Sequence, residues 1–162
     1  MKRALLYRFD RRPVEAVVDP GCYLQGAHIE LITIGGNLQA VPYADVKALC
    51  FASDPGREDL FRLYSLFERR PKVPGLWTRF TLRDGDRIDG MLSHNLIEWP
   101  ATGYLITPPR ADASRQLVFI PRAAITSTEL LGVVGIFALS EAAVRRRREE
   151  SKKAGQLTIF DQ

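Results

Sequence analysis

Two histidines and two cysteines are the residues of this sequence best suited to catalysis or metal binding. His28 and His94 could act as general bases or ligands, and Cys22 and Cys50 carry thiols. Neither histidine is accompanied by a nucleophile motif or a carboxylate pair at a spacing that such chemistry requires. The chain also has neither a P-loop nor a dinucleotide-binding fingerprint. The sequence therefore predicts no enzyme, no metal site and no cofactor, with structural or solvent-facing histidines and with cysteines that fill small apolar spaces.

Six basic residues near the end of the chain could bind the phosphates of a nucleic acid or an anionic membrane surface. They are Arg145, Arg146, Arg147, Arg148, Lys152 and Lys153. The alternative is a solvated helix end, because Glu141 precedes Arg145 by four residues and cations stabilise a helix C-terminus. Of the formal net charge of +4, residues 140–155 contribute +3, Asp161 −1 and residues 1–139 only +2. The body is thus almost neutral and has no general attraction to nucleic acid, although a local patch could exist.

Four aromatic residues could stack on nucleic-acid bases: Trp77, Phe80, Trp99 and Tyr104. Strand alternation places Phe80 on the face opposite Trp77. The sequence predicts that most of these rings lie in the core or an interface, and that Trp99 is the one at the surface.

The last eight residues, GQLTIFDQ, contain a peptide that could bind a protein pocket. Gln156-Leu157-Thr158-Ile159-Phe160 resembles the peptide by which many bacterial replication and repair proteins dock on the DNA sliding clamp. The resemblance implies that Gln156 hydrogen-bonds at the pocket rim and that Leu157, Ile159 and Phe160 are apolar anchors. In the alternative, these three side chains pack back on their own chain.

Ten short segments rich in β-branched and aromatic residues predict strands on which these residues must be positioned. They are 3–9, 13–18, 28–34, 37–42, 46–51, 76–83, 87–93, 103–108, 116–121 and 125–131. A helical pattern over about 56–69 divides them into two groups, and a segment of about 136–153 predicts a second helix. The longest apolar run, 130–139, is too short to span a bilayer, and no signal peptide is evident. We therefore expect a cytoplasmic protein without a membrane span.

The two groups of strands indicate an internal repeat. Residues 10–18 align without a gap with 84–92, and residues 41–46 align with 120–125. Both halves contain an aliphatic–proline pair, three connecting residues and then a β-branched residue. Because proline removes a ladder hydrogen bond in mid-sheet, each proline is expected to mark the end of a strand. These matches favour an ancestral duplication.

Residues 79–131 resemble the Sm-like fold and, within it, the bacterial RNA chaperone Hfq. The segments FTLRDGDRIDG (80–90) and QLVFIPRAAITS (116–127) carry the resemblance, which implies a small five-stranded barrel after a short helix. In that family a Lys-His pair contacts RNA. Ile120-Pro121 stands at the corresponding position of this chain, and the resemblance therefore leaves Arg122 as a phosphate contact. Sm-like subunits usually form rings through their edge strands, although a tandem pair could satisfy some edges internally.

The sequence thus predicts a mainly β protein with two small Sm-like five-stranded barrels in tandem, a connecting helix and a C-terminal helix. The expected parts are a divergent first module (1–53), a connecting helix and linker (54–75), a second module (76–135) and a basic helical tail with the docking peptide (136–162). The expected function is a non-catalytic adaptor that binds nucleic acid or a protein partner and docks on the sliding clamp. An Sm-like RNA-binding regulator and a pure interaction or assembly module, in which the chain could be a homo-oligomer, remain open.

Overall fold

The computed structural model describes residues 1–54, 60–62, 65–112, 115–135, 145–146 and 148–152. The described residues form ten strands, so the prediction of a mainly β protein is confirmed. The first five strands are β1 (Lys2–Arg8), β2 (Arg11–Val18), β3 (His28–Thr33), β4 (Leu38–Pro42) and β5 (Val46–Phe51). The second five are β6 (Gly75–Leu82), β7 (Arg87–Leu92), β8 (Gly103–Ile106), β9 (Leu117–Pro121) and β10 (Ile125–Val134).

The strand order is the same in both halves, and all paired strands are antiparallel. In the first half the order is β4-β3-β2-β1-β5. In the second half β10 pairs with β6, β6 with β7, and β8 with β9. A single bridge between Met91 and Thr107, with backbone hydrogen bonds of 2.9 and 3.0 Å, joins β7 to the end of β8. Each half therefore places its fifth strand beside its first, and its fourth strand at the opposite end.

The details of strand pairing confirm the repeat at the residues that the sequence aligned. The pairs Leu6–Val14 and Phe80–Ile88 occupy equivalent places in the β1–β2 and β6–β7 hairpins. The register shifts by one residue in both halves, at Lys47 in β5 and at Thr126 in β10. The strands β4 and β9 end at their prolines, and each is followed by a three-residue 3₁₀ helix, Tyr43–Asp45 and Arg122–Ala124. The prolines thus end strands, as their missing N–H predicts.

The two halves, which were expected to be Sm-like barrels in tandem, are joined in the structure by the pairing of β5 with β9. This pair joins the halves in one seven-stranded sheet of order β4-β3-β2-β1-β5-β9-β8, beside a three-stranded sheet of order β10-β6-β7. All six residues of β5 and four of the five residues of β9 are buried. Strands that are apolar on both faces are stable only when covered on both faces, and here each half covers the other.

The hydrophobic core has two clusters, and each contains side chains from both halves. Phe119 of β9 packs in the first cluster, where its ring centroid is 5.9 Å from that of Tyr23. Tyr7, Ala48 and Cys50 from the first half pack in the second cluster. The exchange of side chains means that neither half has a complete core of its own.

The connecting helix expected over about 56–69 is not seen in the part of that segment that the structure describes. Residues 60–62 form a turn, and residues 65–69 form bends and irregular backbone. The Ser65 carbonyl accepts a hydrogen bond from the Asp89 N–H at 2.8 Å, and the Phe67 N–H donates to the Asp89 carboxylate at 3.0 Å. The Phe67 N–H, which donates to Asp89 in this way, is not available to a helical turn.

The tail is described only in part. Residues 145–146 and 148–152 are helical, which agrees with the predicted second helix, whereas the remainder of 136–153 lies outside the described residues. Within the ranges that are described, no helix has the length and apolar character needed to cross a bilayer.

Candidate interaction sites

Arg122, Tyr104 and Trp99 form a surface cluster, which we call the arginine–aromatic patch. Arg122 begins the 3₁₀ helix after β9, Tyr104 lies in β8, and Trp99 follows the 3₁₀ helix Leu96–Glu98. The Arg122 Nη1 donates to the Tyr104 hydroxyl at 2.9 Å, and its Nε donates to the Ala101 carbonyl at 2.9 Å. The guanidinium carbon is 4.7 Å from the centroid of the Tyr104 ring. Because a guanidinium has five N–H groups, these two bonds leave donors for a further ligand.

Trp99 completes the patch from the loop between β7 and β8. Its ring meets Tyr104 edge to face with centroids 5.6 Å apart, and its Nε1 donates to the Ser93 carbonyl at 3.0 Å. The Asn95 side chain caps the 3₁₀ helix by accepting from the Ile97 N–H. Glu98 accepts hydrogen bonds from Ser93 and Asn95. These bonds hold a half-buried indole at the surface with its polar atom occupied, so the part of the ring left open is apolar.

The sequence predicted Arg122 as a phosphate contact and Trp99 as a surface aromatic, and the structure brings the two together through Tyr104. Arg122 is exposed, while Trp99, Tyr104 and Trp77 are half-buried. Phe80 is fully buried, and its ring centroid lies 5.1 Å from that of Tyr104. This confirms that Phe80 lies in the core. A cation beside an aromatic surface is the arrangement that can bind a phosphate and stack a base.

A cleft of about 390 Å³ near the junction of the two halves carries three arginines that the sequence analysis did not single out. Its lining residues are Arg8, Phe9, Asp10, Arg11, Ala44, Asp45 and Arg83. The Arg83 guanidinium carbon lies 4.2 Å from the centroid of the Phe9 ring, and the Arg83 Nη2 donates to the Ala44 carbonyl at 2.5 Å. Arg8 pairs with Asp45 at 3.5 Å. The three arginines and two aspartates give the cleft a formal charge of +1, so it is mildly attractive to anions.

The cleft and the arginine–aromatic patch are connected through neighbouring backbone. The 3₁₀ helix Tyr43–Asp45, which supplies two cleft residues, contacts the 3₁₀ helix Arg122–Ala124. The Arg83 N–H donates to the Ala124 carbonyl at 3.0 Å. No local pattern marks the cleft, because its residues come from three separate stretches of chain that only tertiary folding brings together.

Two ionic clusters, each built around one buried charged residue, have structural roles. Lys47 of β5 donates to Asp84 at 2.6 Å and to Asp86 in the β6–β7 turn, and its ammonium lies 4.0 Å from the Phe61 ring centroid. Burial alone would lower the pKa of Lys47, but the hydrogen bonds and charges of the two aspartates raise it above its ordinary value. The cluster ties the first half of the chain to the hairpin of the second.

Asp89 is the most enclosed charge in the described part of the chain. The Arg79 Nε and Nη2 donate to it at 2.7 and 3.1 Å, the Trp77 Nε1 at 3.3 Å and the Phe67 N–H at 3.0 Å. The hydrogen bond to Asp89 raises the pKa of the Arg79 guanidinium. Because four donors satisfy this carboxylate, it acts as a link between β6, β7 and the segment around Phe67 rather than as a reactive group.

The two cysteines lie in different environments. Cys50 is buried, as predicted, and its burial raises the pKa of the thiol to about 12. Cys22 is exposed, so the prediction that it fills an apolar space is wrong. A hydrogen bond with Asp19 raises the pKa of the Cys22 thiol, which disfavours the nucleophilic thiolate. The cause is local: residues 19–23 form a turn closed by backbone bonds to the Asp19 carbonyl, which leaves the Cys22 side chain at the surface.

The remaining candidate residues are described in part. His94 is exposed, and the His28 Nε2 lies 3.5 Å from the Glu30 carboxylate. In the tail, Arg145, Arg146, Arg148 and Lys152 are exposed on helical backbone. Two of the basic residues and the whole docking peptide lie outside the described residues: Arg147, Lys153, Gln156, Leu157, Ile159 and Phe160.

A comparison with protein families finds one match over most of the chain. The model of a family of unknown function, DUF6982, matches residues 1–132. The matched range begins before β1 and ends inside β10, so it includes the patch and the cleft but not the basic tail. No curated protein and no solved structure matches the chain.

Proposed function

The chain belongs to the DUF6982 family, whose function is unknown, and we propose that it is a non-catalytic adaptor. Its β body binds nucleic acid in single-stranded form, and its peptide 156–160 docks on the bacterial sliding clamp. The observation that carries the first part is the arginine–aromatic patch, where an exposed guanidinium lies beside a half-buried tryptophan. Single-stranded nucleic acid presents both ligands of such a patch, since its phosphates are anionic and its bases are free to stack.

The charge distribution favours a short contact over a long electrostatic track. The cleft next to the patch adds Arg11 and Arg83 to the cation supplied by Arg122. Asp10 and Asp45 in the cleft oppose them, and residues 1–139 carry only +2 in total. The body would therefore hold a few nucleotides, and the exposed basic residues of the tail would supply further phosphate contacts.

The repeated strand order supports the resemblance of residues 79–131 to the Sm-like fold. These residues form half of β6, all of β7 to β9 and most of β10, and the 3₁₀ helix that begins at Arg122 directly follows Ile120-Pro121, which aligns with the family's nucleic-acid contact. We propose that both halves are Sm-like modules. Because Ile120-Pro121 replaces the Lys-His pair, phosphate binding rests on Arg122 and stacking rests on Trp99.

The first experiment measures nucleic-acid binding by fluorescence anisotropy with labelled A-rich RNA, U-rich RNA and single-stranded DNA. Trp99→Ala removes a stacking ring and is expected to weaken binding about fivefold or more. Arg122→Ala is expected to weaken binding and to lower the slope of log K against log salt by about one. Arg69→Ala, which removes another exposed positive charge from the segment before β6, is the control.

Two outcomes would contradict the nucleic-acid part of the proposal. One is the absence of saturable binding to all three probes. The other is equal loss of affinity in Arg69→Ala and Arg122→Ala, which would indicate a diffuse charge effect. A preference for RNA would favour the RNA-regulator alternative, whereas a preference for DNA fits a clamp-bound adaptor.

The second experiment measures binding of purified bacterial sliding clamp to the full chain and to a chain that ends at Ala154. We expect binding to be lost on truncation and in Phe160→Ala, and reduced in Gln156→Ala, because these changes remove an apolar anchor and a rim hydrogen bond. Gln162→Ala makes the same change outside the motif and should bind like the wild type. If both Phe160→Ala and Gln156→Ala bind as well as the wild type, the docking proposal is wrong and the interaction-module alternative gains support.

A further inference from the structure

Residues 65–69, which we call the covering segment, lie against one face of the second half. The Ser65 carbonyl accepts a hydrogen bond from the Asp89 N–H at 2.8 Å, and the Phe67 N–H donates to the Asp89 carboxylate at 3.0 Å. The Phe67 ring meets the Trp77 ring edge to face, with centroids 6.2 Å apart. The covering segment thus binds one residue of β7 through both its backbone and its side chain, and places an aromatic ring on the neighbouring strand.

The first half has an equivalent face, because its strands pair in the same register. The Leu6–Val14 pair corresponds to the Phe80–Ile88 pair, and the correspondence extends along both hairpins. The bridge between β7 and the end of β8 has its counterpart in the β2–β3 ladder. The residues that correspond on the two faces are Glu15 with Asp89, Val17 with Met91, Ile32 with Thr107 and Ile34 with Pro109. The two faces can therefore be compared residue by residue.

The face of the first half is open among the described residues. Asp89 and Pro109 are buried in the second half. Their counterparts are not buried, since Glu15 is exposed and Ile34 is 77% exposed. A groove of about 470 Å³ lies at this face. It is lined by apolar and charged residues that include Arg3, Glu15, Val17, Ile32 and Ile34. The first half thus offers the surface that the covering segment occupies in the second.

Glu15 presents the same two hydrogen-bonding groups that Asp89 gives to the covering segment. The Asp89 N–H donates to Ser65 and not to β6, and the equivalent register turns the Glu15 N–H away from β1. The β2–β3 register ends at the pair Ala16–Thr33, so Glu15 has no partner residue in β3. Its exposed carboxylate can accept an N–H, as that of Asp89 does. An extended peptide would find on Glu15 a donor for one of its carbonyls and an acceptor for the N–H two residues later.

The charges at the groove indicate the chemistry of its occupant. Among the described residues, the structure gives the side chains of Arg3 and Glu15 no hydrogen-bond or ion-pair partner. Their charges cancel, which favours a peptide over the phosphates of a nucleic acid. A peptide that complements them carries one acidic and one basic residue beside the apolar side chains that fill the groove. The covering segment itself has this composition, in Leu66-Phe67-Glu68-Arg69.

We propose that the groove of the first half binds an extended peptide of a partner protein, in the way that the covering segment binds the second half. The peptide presents two adjacent apolar side chains followed by an acidic and a basic residue. Its apolar pair packs on Val17, Ile32 and Ile34 and removes their exposed surface from water. Its backbone binds Glu15, and its charged residues pair with Arg3 and Glu15. The groove shares no lining residue with the cleft or the arginine–aromatic patch, so this contact is separate from nucleic-acid binding.

Fluorescence anisotropy with a labelled synthetic peptide, SLFERRPK (residues 65–72), tests the groove on the full chain. We expect saturable binding, and no binding of the peptide with Leu66→Ser and Phe67→Ser, which keeps every charge. In the protein, Ile34→Glu places a charge in the apolar part of the groove and should weaken binding about tenfold or more. Ile97→Glu makes the same change at an isoleucine that is 94% exposed outside the groove, and should leave the affinity within about twofold of the wild type. Both isoleucines are at the surface, so neither variant is expected to disturb the fold.

Four results would overturn the proposal. The first is the absence of saturable binding up to the highest soluble concentration of the chain, and the second is an equal effect of Ile34→Glu and Ile97→Glu. The third is tighter peptide binding by a chain that ends at Ala154 than by the full chain, which would show that the tail of this chain occupies the groove. The fourth is an assembly of wild-type chains, seen by light scattering without peptide, that Ile34→Glu dissociates, because the occupant would then be a second copy.

Discussion

Lys47 shows how a single charged residue can be buried in a strand whose other residues are apolar. Its side chain extends from β5 to the neighbouring β6–β7 hairpin. There its ammonium pairs with two carboxylates and lies beside the Phe61 ring. Burial disfavours the charged carboxylate of Asp84, but hydrogen bonds from Lys47 and from the Asp86 N–H lower its pKa below the ordinary value of 3.8. The folded protein therefore favours the ionised form of both partners.

We predict that replacing Lys47 reduces stability in a pH-dependent way. The Lys47→Met variant should lose about 1–3 kcal/mol of unfolding free energy at neutral pH, because two carboxylates lose their cation. Asp84 contributes stability above pH 3.8 and loses it as the pH falls through its lowered folded pKa. Lys47 contributes stability below pH 10.5, and this stability is lost as the pH rises through the raised pKa of Lys47 in the folded state. The difference in unfolding free energy between Lys47→Met and the wild type should thus become smaller at both low and high pH.

Urea unfolding across this pH range measures the effect of Lys47→Met. Lys72→Met changes an exposed lysine in the segment before β6 and should leave the unfolding free energy within about 0.5 kcal/mol of wild type. A stability loss in Lys47→Met that is the same at neutral pH and well below pH 3.8 would mean that lost packing, rather than the ion pair, is responsible.

At the scale of elements, Gly90 allows β8 to cross close to β7. The structure shows a close contact between the two strands at this glycine. A Cβ at Gly90 would lie 2.4 Å from the Ile106 Cδ1 and 2.5 Å from its Cβ. Ile106 is completely buried, so it has little room to move. The glycine therefore positions the strand that carries Tyr104.

We predict that Gly90→Ala destabilises the fold by about 1–3 kcal/mol through overpacking. Gly132→Ala in β10 is the matched control, because its Cβ would meet the Trp77 ring at 3.8 Å, an ordinary contact. Thermal or urea unfolding measures both variants. Equal effects of the two substitutions would show that strand propensity, and not contact with Ile106, governs the result.

At the scale of the whole molecule, the two halves form one body with one set of interdependent cores. Phe119 completes the core of the first half, and Tyr7, Ala48 and Cys50 complete the core of the second. Two of the buried charged residues, Lys47 and Asp89, link elements within this body. Among the described residues, the groups left for ligands are therefore at the surface, in the arginine–aromatic patch, the cleft, the groove of the first half and the tail.

The sequence by itself determined the features that depend on local chemistry. Short segments rich in β-branched and aromatic residues located all ten strands, and the Val41-Pro42 and Ile120-Pro121 pairs located the ends of β4 and β9. The repeat was visible because equivalent strands need similar residues at similar spacing. Arg122 was identified as a candidate contact through the resemblance to the Sm-like fold and Trp99 through its residue type, without any indication that Tyr104 links them.

Only the tertiary structure decided how the halves combine. Leu49 and Phe119 pair across a large separation in sequence, and an apolar strand does not specify which apolar partner it will meet. The helical spacing of residues 56–69 was overridden, in its described part, because Asp89 offered the backbone of that segment better partners than its own turn. The arginine–aromatic patch and the cleft likewise exist because strand pairing brings distant residues to one surface. Sequence patterns do not show this pairing, because burial and hydrogen bonding are satisfied over the whole chain at once.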